Sequence, residues 1–285
     1  MEHRFCRRLA AGIARSGLVP ALALLAAGSP LVAPPAAAGP PERFGLTYLA
    51  YLDEARILRV EIELDLPAGG TSGDRYRLSV AATTIGVIGG LFPLRLMAGA
   101  HGKAGAAGVR PERYDASSAY GNNRQAVALT YRQNGSVVIA SDPPTMEARH
   151  AARVRLGDRT LDPVSATVAL IDRVARRGAC GGRLAVFDGA RRYDLIASAA
   201  GEGQVAPHGV ALYSGPALRC SVAVELIDGF SQRDVQNGVY PQVTDLWLAP
   251  VLDGAPALPV RLIGHSSLGA MRLDLIGARR VPTIH

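Results

Sequence analysis

The 285-residue sequence is poor in aromatic residues, which make up 5% of the chain, and it has one tryptophan and three cysteines. Lys103 is its single lysine, and we attribute this preference for arginine to codon usage in a GC-rich genome and not to a binding function. Glycine and proline are frequent, with 32 and 19 residues. This composition predicts many short elements and many turns around a real core.

No uninterrupted apolar run approaches the roughly 20 residues that a membrane-spanning helix needs. Residues 1–38 have instead the layout of a cleaved secretory signal: an arginine-rich start, an apolar core at Leu18–Leu25 and an A-x-A site at Ala36–Ala38. Cys6 lies in this segment without a lipobox, so lipid attachment there is not expected. Export with cleavage near Ala38 leaves residues 39–285 as one β-rich domain, with 27 basic and 23 acidic residues and a net charge of +4.

Removal of the signal leaves two cysteines, Cys180 and Cys220. An even pair in an exported chain favours one disulfide bond, which closes a loop of about 40 residues and stabilises the fold by about 4 kcal/mol in the chain-entropy model. A pair of buried free thiols is the alternative, and an oxidising compartment favours the disulfide over it.

Most of the chain has the period of two that is typical of half-buried strands. Apolar residues alternate with polar ones from Leu58 to Leu66, and the alternation resumes after a glycine-rich turn at Tyr76. Asn134-Gly135 and Asp188-Gly189 are strong hairpin signals. Because no βαβ rhythm is present, we predict a mainly β fold: a single antiparallel curved sheet or incomplete β-barrel.

One substantial helix is predicted over residues 163–177. Asp162 provides an N-cap, Pro163 occupies the first helical position, and Ser165 lies in the first turn. An apolar stripe follows, and the last turns carry three arginines, where the helix dipole favours cations. These arginines are Arg173, Arg176 and Arg177. We expect this helix to pack against the concave face of the sheet.

Motifs for catalysis or cofactor binding are scarce. The histidines are dispersed without metal-ligand spacing, no glycine-rich phosphate loop is present, and the modest charge does not favour a nucleic-acid site. Ser266 lacks the second glycine of a nucleophile elbow, so it and His265 are weak hydrolase candidates in what reads as a hairpin turn. We therefore expect a non-enzymatic protein without metal or cofactor.

Several short segments in a fixed order resemble the family of unknown function numbered 3108. They are Pro111-Glu112-Arg113-Tyr114, Asp162-Pro163-Val164-Ser165, Val186-Phe187-Asp188-Gly189, Arg192-Tyr193-Asp194-Leu195, Tyr213-Ser214-Gly215-Pro216 and Leu246-Trp247-Leu248-Ala249-Pro250. The resemblance covers nearly all of residues 39–285. It implies an exported bacterial envelope protein of the periplasm without an assigned reaction, distantly similar to the half-open barrels of lipoprotein carriers and to β-spiral envelope-integrity proteins.

The expected function concerns the interior of the curved sheet. Inward-facing aliphatic residues enclose an apolar groove for a lipid or the acyl chain of a lipidated partner, unless the helix fills it. The expected lining residues are Leu78, Val80, Val127 and Leu129, and the expected contacts to an anionic headgroup are Arg173, Arg176 and Arg177. The alternative is a structural or protein-partner envelope factor with a filled core.

Overall fold

The structure is a computed structural model that describes residues 42–66, 74–143, 156, 159–238, 240 and 242–282. The predicted signal peptide, including its cleavage site near Ala38, lies outside the described residues.

Thirteen strands and three helices make up the described part of the chain. The strands are β1 Glu42–Leu52, β2 Ala55–Leu66, β3 Asp74–Thr84, β4 Leu94–Ala104, β5 Arg110–Tyr120, β6 Asn123–Tyr131, β7 Val137–Asp142, β8 Gly181–Phe187, β9 Arg192–Val205, β10 Gly215–Asp228, β11 Val243–Ala249, β12 Leu258–Ser266 and β13 Gly269–Val281. The helices are α1 Gly86–Leu91, α2 Pro163–Arg177 and α3 Gln232–Gln236.

All strands belong to one antiparallel sheet with the order β7-β6-β5-β4-β3-β2-β1-β13-β12-β11-β10-β9-β8. Strands that are consecutive in sequence pair with each other, except β7 and β8, and β1 pairs with β13 to join the two halves. The terminal strands β7 and β8 do not pair with each other, so the sheet does not close into a barrel. The predicted fold class is confirmed.

Two hairpin turns depend on glycine. Gly135 between β6 and β7 has φ 79°, and Gly189 between β8 and β9 has φ 100°. Side chains with a Cβ atom rarely adopt this region, which is why the Asn-Gly and Asp-Gly pairs mark these turns in the sequence.

Helix α2 begins and ends where its capping residues lie. Asp162 accepts a hydrogen bond from the backbone N–H of Ser165 at 2.8 Å, and Pro163 is the first helical residue. Gly178 ends the helix in the left-handed conformation with φ 65°. The bounds equal the predicted 163–177.

The sheet curls around α2. The helix contacts β3, β4 and β5 in one half of the sheet and β8 at the far edge of the other half. The curl also brings the β8–β9 turn onto β6, since a Cβ atom on Gly189 would lie 2.4 Å from Val127 Cγ2. Val164, Val168 and Ile171 of the helix share one hydrophobic core with the sheet.

A disulfide joins Cys180, just after α2, to Cys220 on β10, with a Cα–Cα distance of 5.8 Å. Both residues are buried in a second core cluster with Leu170, Val174 and Leu248. The bond therefore ties the end of the helix to β10, the third strand from the β8 edge of the sheet.

Two short helices interrupt the run of strands. α1 lies between β3 and β4, and α3 lies between β10 and β11. α1 has no side-chain cap and no buried residue, unlike α2.

Candidate functional site

A concave feature of the described surface is a groove across β2–β7, which we call the outer groove. It has a volume of about 740 Å³, within the range of small-molecule sites. Strand register aligns its lining side chains in two neighbouring rows. The first row is Glu61, Ala81, Met97, Ser117, Ala126 and Asp142, and the second is Glu63, Ser79, Gly99, Asp115, Ala128 and Ala140.

The outer groove lies on the face of the sheet that is turned away from α2. Side chains alternate between the two faces of a strand, and the intervening residues Leu78 and Leu129 are buried in the core with the helix. Six strands at the usual spacing make the groove roughly 24 Å long. This length matches an extended chain rather than a compact ligand.

Small side chains form the floor of the groove. Alanine, serine and glycine leave the backbone of the sheet within reach, and Gly99 has no Cβ atom at all. Carboxylate side chains lie among these residues, and two of them form ion pairs with arginines. Arg113 lies 2.6 Å from Asp115, and Arg59 lies 3.1 Å from Glu61. The floor of the groove thus combines small side chains with carboxylates in the same two rows.

The four residues of the expected interior groove line the core instead. Leu78 and Leu129 are 2% and 0% exposed, and Val80 and Val127 pack against the same cluster. The helix residues Val164, Val168 and Ile171 fill the space between the two halves of the sheet. Val80 and Val127 also border the outer groove, because each lies between the two lining rows along its own strand.

The arginines of the last helical turns bind within the protein. Arg173 donates to the carbonyl oxygen of Gly181 at 3.2 Å, and Arg176 donates to the carbonyl oxygen of Gly105 at 2.5 Å and pairs with Asp172. Arg177 is exposed. Arg173 and Arg176 therefore stabilise the end of the helix. None of the three arginines lines the outer groove.

A buried hydroxyl network surrounds Asp162 at the start of α2. Ser165 Oγ donates to Asp162 Oδ2 at 2.5 Å and lies 2.6 Å from the hydroxyl of Tyr76. Burial raises the pKa of the Asp162 carboxyl, although the hydrogen bonds from Ser165 oppose the shift. Burial raises the pKa of Tyr76 as well. The N-capping bond lies at the centre of these contacts, and Tyr76 joins it to β3, so we assign the network to the stability of α2.

The raised pKa of Asp162 gives stability a pH dependence of known sign. The folded state holds this proton more tightly than the unfolded state, so the contribution is full below the unfolded value of about 4 and is lost as pH rises. Asn keeps the cap without the charge, whereas Ala removes it at a cost of about 1–2 kcal/mol. We expect Asp162→Asn to lack this pH dependence and Asp162→Ala to be the less stable variant in urea.

Urea unfolding at several pH values between 4 and 8 measures both effects. The matched control is Asp115→Asn, because the side chain of Asp115 is 55% exposed. The assignment fails if the wild-type protein gains stability over Asp162→Asn as pH rises, or if Asn costs as much as Ala.

A second polar cluster lies where β1, β12 and β13 meet the segment after β9. Asp274 is fully buried and binds Arg261 Nε at 2.5 Å, Arg272 Nε at 3.2 Å and His208 Nδ1 at 3.0 Å. The ring of Tyr51 lies under Arg272, 4.8 Å from its guanidinium carbon. No signal in the sequence predicts this cluster, because its members lie far apart along the chain.

The geometry of His208 argues against its use as a catalytic base. Its Nε2 atom lies 2.7 Å from Arg272 Nη2, and a guanidinium can only donate, so Nε2 accepts and Nδ1 donates to Asp274. The lone pair that a general base needs is therefore already engaged.

The weak hydrolase candidates lie in a hairpin turn. β12 ends at Ser266 and β13 begins at Gly269, and Ser266 Oγ accepts a hydrogen bond from the backbone N–H of Leu268 at 3.2 Å. Ser266 and His265 are consecutive in a strand and so point to opposite faces of the sheet. They do not form a nucleophile and base pair.

The described residues lack two further features that would indicate a function. No group of three or more His, Cys, Asp or Glu side chains is placed to hold a metal ion in this part of the chain. None of the helices in the described ranges is both long enough and apolar enough to cross a membrane.

These features define a class of protein with one open, curled antiparallel sheet around a single substantial helix. The chain belongs to the family described as protein of unknown function (DUF3108), whose model matches residues 47–276. Among solved structures it is similar to a β-barrel-like protein of domain of unknown function DUF1849 from Brucella abortus, with 11% identity, a TM-score of 0.45, and coverage of 85% of this chain and 98% of that chain. No curated protein matches it.

Proposed function

We propose that this protein is an exported, non-enzymatic binding protein of the cell envelope that holds an elongated apolar ligand in the outer groove. A lipid, or the acyl chain of a lipidated partner, is the ligand class. The single observation that carries the proposal is a groove of about 740 Å³ with a floor of small side chains, on the open face of a sheet whose other face is filled.

The shape of the groove supports a chain-like ligand. Its length of roughly 24 Å is similar to that of an extended acyl chain, and its floor is almost free of large side chains. The arginines lie at its borders, so an anionic headgroup would bind there and not among the carboxylates of the floor. Arg95 and Arg124 are exposed and stand one row beyond the groove.

Periplasmic localisation is part of the proposal. It is supported by the arginine-rich start and A-x-A site of residues 1–38 and by the buried Cys180–Cys220 bond, which suits an oxidising compartment. A non-enzymatic role is supported by Ser79 and Ser117 of the groove, neither of which has a hydrogen bond to a histidine within the described ranges.

The second candidate function is a structural or protein-partner envelope factor. The observation that favours it is the filled interior, where α2 occupies the space in which a carrier would hold its cargo. In that case the outer groove would accept an extended protein segment instead of a lipid.

Filling the groove tests the lipid proposal. We expect Ala128→Trp to weaken binding of a fluorescent long-chain fatty acid at least tenfold, because the indole would occupy the middle of the floor. The matched control is Ala200→Trp, an exposed alanine on β9 outside the groove, which should bind as the wild type does. Fluorescence titration below the micellar concentration gives the affinities, and circular dichroism checks the fold.

Native mass spectrometry of the protein purified from its own envelope gives a second readout. We expect co-purified lipid on the wild-type protein and on Ala200→Trp but not on Ala128→Trp. Absence of lipid from all three proteins, together with no binding of the fatty acid, would leave the protein-partner function.

A further inference from the structure

One end of the sheet carries a cluster of exposed apolar side chains, which we call the apolar tip. It consists of Val87, Leu91, Phe92 and Tyr120, which are 79%, 66%, 52% and 44% exposed. α1 supplies the centre of the tip, and none of its residues is buried. The run from Ile85 to Leu94 contains no polar side chain. Exposed apolar clusters of this kind mark interaction sites.

The apolar tip is held in a defined conformation. Thr84 Oγ1 donates to the carbonyl oxygen of Phe92 at 2.8 Å and accepts from the N–H of Leu94 at 2.9 Å, which fixes both ends of the return. Gly89 packs so tightly that a Cβ atom there would lie 2.7 Å from the carbonyl oxygen of Thr84. Phe92 stacks on Tyr120 at the end of β5, with ring centroids 6.5 Å apart.

Exposed arginines stand directly behind the apolar tip. These arginines form a row on the outer face, next to the first row of the groove. Arg95 on β4 and Arg124 on β6 flank Ala119 on β5, and Arg59 on β2 continues the row across β3. Arg59 pairs with Glu61. Within the described ranges, Arg95 and Arg124 pair with no carboxylate, so their guanidiniums are available to an external anion.

We propose that the apolar tip docks the protein on an anionic lipid surface. Aliphatic side chains and an aromatic pair at the end of a rigid hairpin, with arginines one row behind, match the layered chemistry of a bilayer surface: acyl chains, interface and phosphate groups. A specific protein interface buries about 800 Å² on each partner, which is more than four side chains on a convex tip provide. The proposal is independent of the ligand of the outer groove.

Docking in this way would bring the outer groove close to the lipid. The arginine row lies between the apolar tip and the row of Met97 and Ser117, so the groove begins about two rows, roughly 13 Å, from the tip. A surface-bound protein would then have its groove opening above the headgroups.

Vesicle co-sedimentation of the purified protein tests the proposal. The probes are vesicles of phosphatidylcholine alone and of phosphatidylcholine with 30% phosphatidylglycerol, at low and at physiological salt. We expect binding to the anionic vesicles, at least tenfold weaker binding after Leu91→Asp with Phe92→Asp, and about fivefold weaker binding for each of Arg95→Glu and Arg124→Glu. The variant Phe92→Trp should show a blue shift of its tryptophan fluorescence on binding.

Two control variants separate this surface from exposure in general. Leu212 is 52% exposed, as Phe92 is, but lies in the segment after β9, so Leu212→Asp should bind as the wild type does. Arg77 is exposed on β3 beyond the groove, so Arg77→Glu should retain most of the binding. The proposal is overturned if the wild type does not bind anionic vesicles, if Leu212→Asp is as weak as the tip variant, or if the tip variant loses self-association in sedimentation velocity while vesicle binding is unchanged.

Discussion

Replacing Asp274 by alanine is expected to destabilise the protein by about 3–5 kcal/mol, the largest effect of any single substitution that we consider. Asp274 is 0% exposed and Arg261 is 7% exposed, so removal of the carboxylate leaves a buried guanidinium without its anion. Arg272 and His208 lose the same partner. Urea unfolding followed by far-UV circular dichroism measures the change.

Two further variants test whether the loss of stability comes from leaving a buried charge without its partner. Asp65→Ala removes the partner of Arg43 in a pair that is partly exposed at both ends, and its cost should be a small fraction of the Asp274→Ala cost. Asp274→Ala combined with Arg261→Met removes both buried charges and should recover part of the lost stability. The prediction is wrong if Asp65→Ala and Asp274→Ala cost the same, or if the double variant is less stable than Asp274→Ala alone.

The sequence predicted the parts of the fold that depend on local chemistry. The cap at Asp162 and the turns at Gly135 and Gly189 each act within a few residues, and all three lie where the sequence analysis placed them. α1 could not be predicted in this way, because its sequence has neither a pattern of polar and apolar residues nor a side-chain cap. The conformation of α1 depends on hydrogen bonds to Thr84 and to the first residues of β2, and these bonds form only when the chain folds.

The candidate site was less predictable, and the reason is curvature. Alternation shows which side chains share a face of the sheet, but it does not show which face is left open. Leu78 and Leu129 were placed correctly on one face, yet α2 covers that face. The small residues of the other face, such as Ala126 and Ala128, carried the missed signal: aligned across strands they form a continuous floor. The bond between His208 and Asp274 spans 66 positions and leaves no local signature.

Loss of the disulfide is expected to have the second largest effect on stability. Cys180 and Cys220 are 40 positions apart, and closing a loop of this length stabilises the folded state by about 4 kcal/mol in the chain-entropy model. The bond also ties α2 to β10 within the cluster of Leu170, Val174 and Leu248. We expect Cys180→Ala with Cys220→Ala to unfold at a clearly lower temperature and lower urea concentration than the oxidised wild type.

A reductant provides the internal control for this prediction. Dithiothreitol should lower the unfolding midpoint of the wild type towards that of the double alanine variant and leave the variant unchanged, because the variant has no Cys180–Cys220 bond to reduce. Mass spectrometry of protein from the periplasm should show two fewer hydrogens than the dithiol form. If the midpoint of the wild type does not respond to reductant after complete reduction, the bond does not stabilise the fold. If isolated protein carries free thiols, the pairing is not made in the cell, and the support that the bond lends to periplasmic localisation is lost.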